Sequence, residues 1–131
     1  MSDFTIRPMQ PSDAGFIYKA WLEGYWPHFP GNVIISKSEF MQRWHGVVEK
    51  ILADPQTRTV VAHVEGQPDM LLGFACDGAS CLHWAYVKQA FRKMGIGRGL
   101  TAGCFNVCSH FAPWLNEHDF VYDPEPLRRY A

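Results

Sequence analysis

Residues 4–8 alternate between apolar and polar side chains and end at a proline, a pattern that predicts a short strand. The spacing then changes, because residues 13–25 repeat apolar side chains every three or four positions and therefore predict a helix. Residues 11–14 supply a candidate N-cap and an early acidic side chain at its start. The apolar positions of this helix are Ile17, Ala20, Trp21, and Gly24 or Tyr25.

A second helix is predicted after a loop. Two prolines and a glycine mark residues 26–32 as that loop. Ser36 and Glu39 have the spacing of a capping box, in which each side chain satisfies a backbone N–H at the helix start. The apolar stripe behind the box consists of Phe40, Trp44, Val47, Val48 and Ile51.

Three further strands and a third helix are predicted from the rest of the pattern. The strands are residues 57–64, 70–76 and 81–87. The turn-prone residues 65–69 join the first two of them, and helical spacing resumes over residues 97–111. The inward-facing positions predicted for this helix are Leu100, Cys104, Val107, Cys108 and Phe111.

The composition indicates one globular domain over residues 1–131. A chain of 131 residues that is 47% hydrophobic can bury a core without disulfides or metal. Its net charge of -1 disfavours a nucleic-acid or membrane-surface binder, and no apolar stretch is long enough to span a bilayer. Residues 1–4 show no secretory signal, and the four cysteines sit in apolar segments, so we expect a cytoplasmic protein.

Residues 87–100 carry the strongest chemical signal, since a strand end, a glycine-bearing loop and a helix start follow one another there. The first N–H groups of a helix lack partners within it, and the helix dipole adds positive charge at that end. Gly95 and Gly97 let the backbone approach a phosphate without a Cβ in the way. The nearby cations are Arg92, Lys93 and Arg98. The segment therefore predicts a site for a phosphate-bearing ligand.

The glycine spacing narrows the kind of ligand. The segment lacks the Gly-Lys-Ser/Thr ending of a P-loop, and the third position of a dinucleotide fingerprint falls on Leu100. Residues 92–97 instead fit the pattern [QR]-x-x-G-x-[GA], with Val87 five positions before Arg92. This resembles the acetyl-CoA signature of the GNAT N-acetyltransferase superfamily, whose loop amides hold the coenzyme A pyrophosphate.

The resemblance extends upstream over residues 82–97, which are similar to the matching segment of arylalkylamine N-acetyltransferases. There it implies that His83, four residues before Val87, helps to deprotonate the amine through water. Cys81 stands where that group has a second histidine and where many GNAT enzymes have a glutamate base. Strand alternation would put Cys81, His83, Ala85 and Val87 on one face.

The resemblance implies a GNAT fold, an α/β (α+β) architecture with a mixed, mostly antiparallel central sheet, flanking helices and the order β-α-α-β-β-β-α-β. It also implies an acetyl-CoA-dependent N-acetyltransferase that acts on a primary amine of a small molecule or a protein, without a metal. The backbone near Val87 would polarise the thioester carbonyl, and Tyr122 or Tyr130 would protonate the departing thiolate. The residues expected to bind acetyl-CoA are Tyr86, Val87, Arg92, Lys93, Met94, Gly95, Ile96, Gly97 and Arg98.

The C-terminal part departs from the pattern of this superfamily, which continues with a fifth strand, a fourth helix and two more strands. Residues 119–122 can supply the fifth strand, but residues 123–131 are too few and too rich in proline for the rest. We therefore expect a truncated form whose acceptor site is either open or completed by a second subunit, as in a homodimer.

Three alternative interpretations stay open at this level. The chain could be a GNAT-fold module that binds coenzyme A or a protein without transferring an acetyl group, with His83 as a hydrogen-bonded core residue. The aromatic residues of 21–29 could line an acceptor site for an apolar amine or belong to the core. Two Cys-Cys-His sets also suggest zinc, although Cys108 and His110 would point about 200° apart on a helix. These sets are Cys76, Cys81 and His83, and Cys104, Cys108 and His110.

Overall fold

The computed structural model describes residues 3–104, 106–112 and 120–130. Six strands of this described part form one sheet in the order of the chain, with antiparallel pairing as far as β4 and parallel pairing from β4 through β6. The strands are β1 (Phe4–Pro8), β2 (Arg58–Val64), β3 (Gln67–Asp77), β4 (Leu82–Val87), β5 (Val107–Cys108) and β6 (Val121–Tyr122).

Helices α1 (Ala14–Tyr25) and α2 (Lys37–Ala53) cover one face of the sheet, and the short helix α3 (Ile96–Leu100) covers the other. The side chains of β2 and β3 alternate between these two layers, because successive side chains of a strand point to opposite faces. Val61, Phe74 and Trp84 pack under α1 and α2, and Val60, Ala62 and Ala75 pack under α3. Within the described residues, no helix is long and apolar enough to cross a membrane.

The first two helices and the first four strands lie where the sequence predicts them, except that β3 already begins at Gln67, inside the predicted turn of residues 65–69. Ser36 caps α2, since its hydroxyl accepts a hydrogen bond from the Glu39 N–H at 3.1 Å. Asp13 does not cap α1 with its side chain. Its buried carboxylate instead accepts two hydrogen bonds from Arg7, at 2.8 and 3.1 Å, and one from the Gln10 N–H at 2.8 Å. It thereby ties the end of β1 to the start of α1.

The predicted helix over residues 97–111 is wrong beyond Leu100. The chain leaves the helix through Gly103, which has a φ of +81°, a backbone conformation that is costly for residues with a side chain. Residues 107–108 then pair with β4 as β5, and Phe111, expected to face inward, is 47% exposed. The strand expected at residues 119–122 is the sixth strand rather than the fifth, and Asp119 lies outside the described residues.

Candidate active site

The segment between β4 and α3 forms a tight, N–H-lined loop. Lys93 and Gly95 both adopt left-handed backbone conformations, with φ of +66° and +85°. None of the backbone N–H groups of residues 93–98 donates a hydrogen bond to another described residue. Neighbouring N–H groups left open by such turns form concave anion sites. We call residues 93–98 the amide loop.

The cations predicted around this loop differ in what they contact. Arg92 donates a hydrogen bond from Nε to the Val87 carbonyl at 2.9 Å, and its guanidinium lies 5.9 Å from the centre of the Tyr86 ring. Arg92 therefore braces the end of β4. Lys93 and Arg98 are exposed and form no ion pair with any described residue, so both remain available to an anion at the amide loop.

Among the described residues, nothing pairs with the outer edge of β4 beside this loop. β5 pairs with β4 at the start of the strand only, through Leu82 and Cys108, with the Ser109 N–H donating to the Leu82 carbonyl at 3.1 Å. The Lys88 N–H donates to the Leu72 carbonyl on β3 at 2.8 Å. Because the direction of N–H groups alternates along an antiparallel ladder, the N–H of Val87 points away from β3, toward the open edge.

A cleft of about 540 Å³ lies between α1 and the end of β4. Its wall on the β4 side contains Tyr86 and Lys88, the two neighbours of Val87 in the chain. The residues that line it are Phe16, Lys19, Ala20, Glu23, Gly24, Tyr86 and Lys88. The sequence pattern did not single out the α1 members Phe16, Lys19 and Glu23, although Lys19 and Glu23 are spaced by one helical turn on an exposed face.

His83 lies elsewhere, because β4 carries a bulge at its start. Cys76 pairs with Trp84, and the next residue of β3, Asp77, pairs with Leu82. His83 is therefore the extra residue of the bulge in β4. The bulge breaks the alternation and overturns the expectation that His83 and Val87 share a face. Leu82, Ala85 and Val87 pack on the α3 side, whereas the His83 ring lies 5.7 Å from the Tyr130 ring, in the layer of α1 and α2.

His83 is 1% exposed and belongs to a buried chain of hydrogen bonds. Its Nδ1 lies 2.7 Å from the Ser109 hydroxyl, which in turn lies 2.9 Å from Nδ1 of His110. Nε2 of His110 accepts from the indole N–H groups of Trp21 and Trp44, both at 3.3 Å. Ser109 and His110 lie in the stretch predicted as helix, so the sequence pattern placed the two histidines in separate zinc sets and did not predict that they meet through Ser109.

Burial sets the protonation of the two imidazoles. Desolvation lowers the pKa of His83 from 6.5 to about 4, against a smaller raising effect of Asp54. Desolvation also lowers the pKa of His110 well below its ordinary value, and the neighbouring His83 adds to that effect. Both rings are therefore neutral at pH 7. Burial likewise raises the pKa of the Cys81 thiol to about 11, so Cys81 is a protonated thiol beside His83.

The two tyrosines predicted as proton donors lie apart from the amide loop. The Tyr130 hydroxyl donates to the Asp54 carboxylate at 2.7 Å, and Arg129 pairs with the same carboxylate at 3.1 Å. Tyr122 is 38% exposed on β6, and its ring packs edge-on against Phe111 with ring centres 5.6 Å apart. The roles of His83, Tyr122 and Tyr130 stay predictions.

The structure also bears on the expectations for the aromatic segment and for a zinc site. Trp21 and Tyr25 are buried in the core under α2, so the aromatic segment of residues 21–29 serves packing at those positions. Among the described residues, no group of three or more histidine, cysteine and acidic side chains is arranged to hold a metal ion.

Comparisons with solved structures identify the architecture. At 22% identity and a TM-score of 0.60, the chain is similar to a Pyrococcus furiosus protein provisionally described as an acetyl transferase, over 76% of this chain and 70% of that one. An acetyltransferase from Vibrio fischeri matches at 15% identity and a TM-score of 0.52, over 75% and 80% of the two chains. The PaiA N-acetyltransferase from Thermoplasma acidophilum, in complex with coenzyme A, matches at 16% identity and a TM-score of 0.50, over 78% and 69%.

These structures define the class of fold. The chain has the GNAT fold, a mixed, mostly antiparallel sheet with flanking helices, as the sequence predicted. No family model and no curated protein sequence matches the chain. At these identities the likeness establishes the fold alone, and the activity has to be argued from the site.

Proposed function

We propose that this chain is an acetyl-CoA-dependent N-acetyltransferase that moves an acetyl group to a primary amine of a small molecule or a protein. The proposal rests on one observation. The unpartnered N–H groups of residues 93–98 and the outward N–H of Val87 lie on consecutive segments, the end of β4 and the loop that follows it, in a GNAT fold. The first set suits a pyrophosphate, and the second suits the carbonyl oxygen of a thioester.

The residues present fit the coenzyme. Lys93 and Arg98 add charge at the amide loop, while Ile96 is 2% exposed and contributes its N–H only. Met94 is 63% exposed and can cover an apolar part of the ligand. Arg92 acts on Val87 and Tyr86, so we assign it to bracing the site rather than to binding phosphate.

The acyl transfer itself is a substitution at the carbonyl carbon. The amine nitrogen bonds to that carbon, the carbon–sulfur bond breaks, the ammonium loses a proton, and the sulfur gains one. The Val87 N–H stabilises negative charge that develops on the carbonyl oxygen. His83 is neutral at pH 7 and could accept the proton only through a water chain, because its own ring is enclosed.

Calorimetric titration of acetyl-CoA tests the coenzyme site. We expect Gly95→Ala to weaken binding at least about tenfold, because a left-handed alanine is strained by about 1–2 kcal/mol and the loop relaxes away from its N–H-lined shape. Gly66→Ala is the matched control. Gly66 has a φ of +78° with nothing within 4 Å of an added Cβ, like Gly95, but it lies in the β2–β3 turn. Equal affinity of wild type and both variants, or no binding at all, would overturn the proposal.

A second candidate is a GNAT-fold module that binds coenzyme A without transferring the acetyl group. The enclosure of His83, with 1% of its surface exposed, favours it, as does Cys81 in place of an acidic base. Turnover separates the two functions. Micromolar binding of acetyl-CoA with no acetylated product across a broad panel of primary amines would select the binding module.

A further inference from the structure

We infer that the cleft between α1 and β4 binds the acceptor, and that it selects amines that also carry a carboxylate next to an apolar body, as amino acids do. This inference rests on the proposed function and specifies its substrate class. The position of the cleft, its charges and its floor support it.

The cleft opens beside the reacting position. Tyr86 and Lys88 form its wall on β4, and Val87, whose N–H points to the open edge of the strand, lies between them in the chain. An amine held in the cleft is therefore close to a thioester carbonyl placed at that N–H. A volume of about 540 Å³ is in the range of small-molecule sites.

Positive charge dominates the rim of the cleft. Lys19 and Lys88 are both exposed members of its lining. The carboxylate of Glu23, the one acidic member of the lining among the described residues, is already paired with Lys37 at 3.1 Å. The Lys88 ammonium lies 5.6 Å from the centre of the Phe16 ring, which keeps it over the cleft. Such a rim attracts a carboxylate and disfavours a polycationic acceptor.

The floor of the cleft is apolar. Phe16 and Tyr86 lie with ring centres 6.1 Å apart, and Ala20 and Gly24 add no polar group. The combination of two ammonium groups above an aromatic floor fits a carboxylate attached to an apolar or aromatic side chain.

A matched set of acceptors tests the selectivity. L-phenylalanine carries the carboxylate, and L-phenylalaninamide has the same shape without the negative charge. At equal concentrations of free amine, we expect kcat/KM for phenylalanine to exceed that for the amide by about tenfold, the effect of one charge-assisted contact. The double variant Lys19→Gln, Lys88→Gln should lower kcat/KM for phenylalanine and thereby remove that preference. Lys50→Gln, an exposed lysine outside the cleft, is the control and should keep the preference.

A binding measurement keeps the inference separate from the proposed function. Titration of the isotope-labelled protein with L-phenylalanine should shift the backbone amide signals of residues 16–24 and 86–88, and phenylalaninamide should shift them less. Equal responses to the two compounds, or shifts confined to other residues, would overturn the inference even if acetyl-CoA binds and amines are acetylated. Failure of acetyl-CoA to bind, with these shifts intact, would overturn the proposed function instead.

Discussion

The hydroxyl of Ser109 lies 2.7 Å from Nδ1 of His83, and both side chains are buried. This contact helps to determine which ring nitrogens of His83 and His110 carry a proton. Nε2 of His110 accepts from two indole N–H groups, so the proton of this neutral ring sits on Nδ1 and is donated to Ser109. The hydrogen of the Ser109 hydroxyl then has two acceptors, Nδ1 of His83 and the Cys81 sulfur. The imidazole nitrogen is the stronger acceptor, so we expect Ser109 to donate to Nδ1 of His83, whose own proton then sits on Nε2.

The first prediction is this pair of opposite tautomers. We expect His110 as the Nδ1–H form and His83 as the Nε2–H form throughout the neutral range. Two indole N–H groups occupy Nε2 of His110, and a neutral imidazole nitrogen is a stronger acceptor for the Ser109 hydroxyl than the Cys81 sulfur. Long-range proton–nitrogen correlation spectra of the imidazoles distinguish the two forms directly. The same tautomer in both rings would contradict the hydrogen-bond order given above.

The second prediction concerns stability against pH. The folded-state pKa of His83 is about 4 and its unfolded pKa about 6.5, so the unfolded chain binds more protons between these values. Stability from this group is therefore complete above pH 6.5 and falls as the pH drops toward 4. Between pH 7.5 and 5, we expect a loss of about 2 kcal/mol from His83, to which His110 adds.

Urea unfolding at both pH values measures this loss, and His83→Gln isolates it. Glutamine can still accept a hydrogen bond from Ser109 but does not titrate, so the variant should lose less stability on acidification. The carboxylates of Asp13 and Asp54 do not disturb the comparison, because their pKa values are lowered from 3.8 and they titrate below this window. An identical pH dependence for wild type and variant would contradict the assignment.

The third prediction is that Ser109→Ala lowers the free energy of unfolding far more than loss of a hydroxyl at the surface would. It leaves the Nδ1–H of His110 and the Nδ1 of His83 without their shared partner in the core, at a cost of about 2 to 4 kcal/mol. Ser80→Ala, at an exposed bend before β4, is the control and should change the free energy of unfolding by less than about 0.5 kcal/mol. Similar midpoints in chemical denaturation would mean that the network contributes little.

The sequence predicts the elements that show one periodic pattern over a long stretch. Helix α2 repeats its stripe from Phe40 to Ile51 and carries its own cap at Ser36, so the pattern and the end signal agree. The offsets of Gly95 and Gly97 from Arg92, which are local features of the chain, likewise locate the loop after β4. Such local patterns predict the structure correctly because they do not depend on residues that are distant in the chain.

The remaining features depend on partners that are far apart in the chain. Leu100, Cys104 and Cys108 keep helical spacing, but Cys108 pairs with Leu82 on β4, and a left-handed Gly103 intervenes. The bulge that turns His83 away from Val87 is a mismatch of register between β3 and β4, which neither strand shows alone. Sequence periodicity therefore places His83 on the right strand and on the wrong face.

The fourth prediction tests the contact that seats α3 on β1. A Cβ added to Gly99 would lie 2.9 Å from Cδ1 of Ile6, so Gly99→Ala overpacks this contact although alanine favours a helix. The two effects oppose each other, and we expect no net stabilisation in the wild-type background. Ile6→Val removes the obstructing Cδ1 and creates room for the new methyl group. In that background, Gly99→Ala should stabilise the protein by about 0.5–1 kcal/mol.

The coupling between the two positions decides the outcome. Compared with the two single variants, the double variant Ile6→Val, Gly99→Ala should give a favourable coupling of about 1 kcal/mol in the free energy of unfolding. Gly46→Ala lies in the middle of α2 with nothing within 4 Å of the added methyl group, and it should stabilise both backgrounds equally. If Gly99→Ala behaves like Gly46→Ala in the presence of Ile6, then α3 does not pack on β1 as closely as this contact requires. The amide loop at the start of α3 would then lack the support that positions it beside β4.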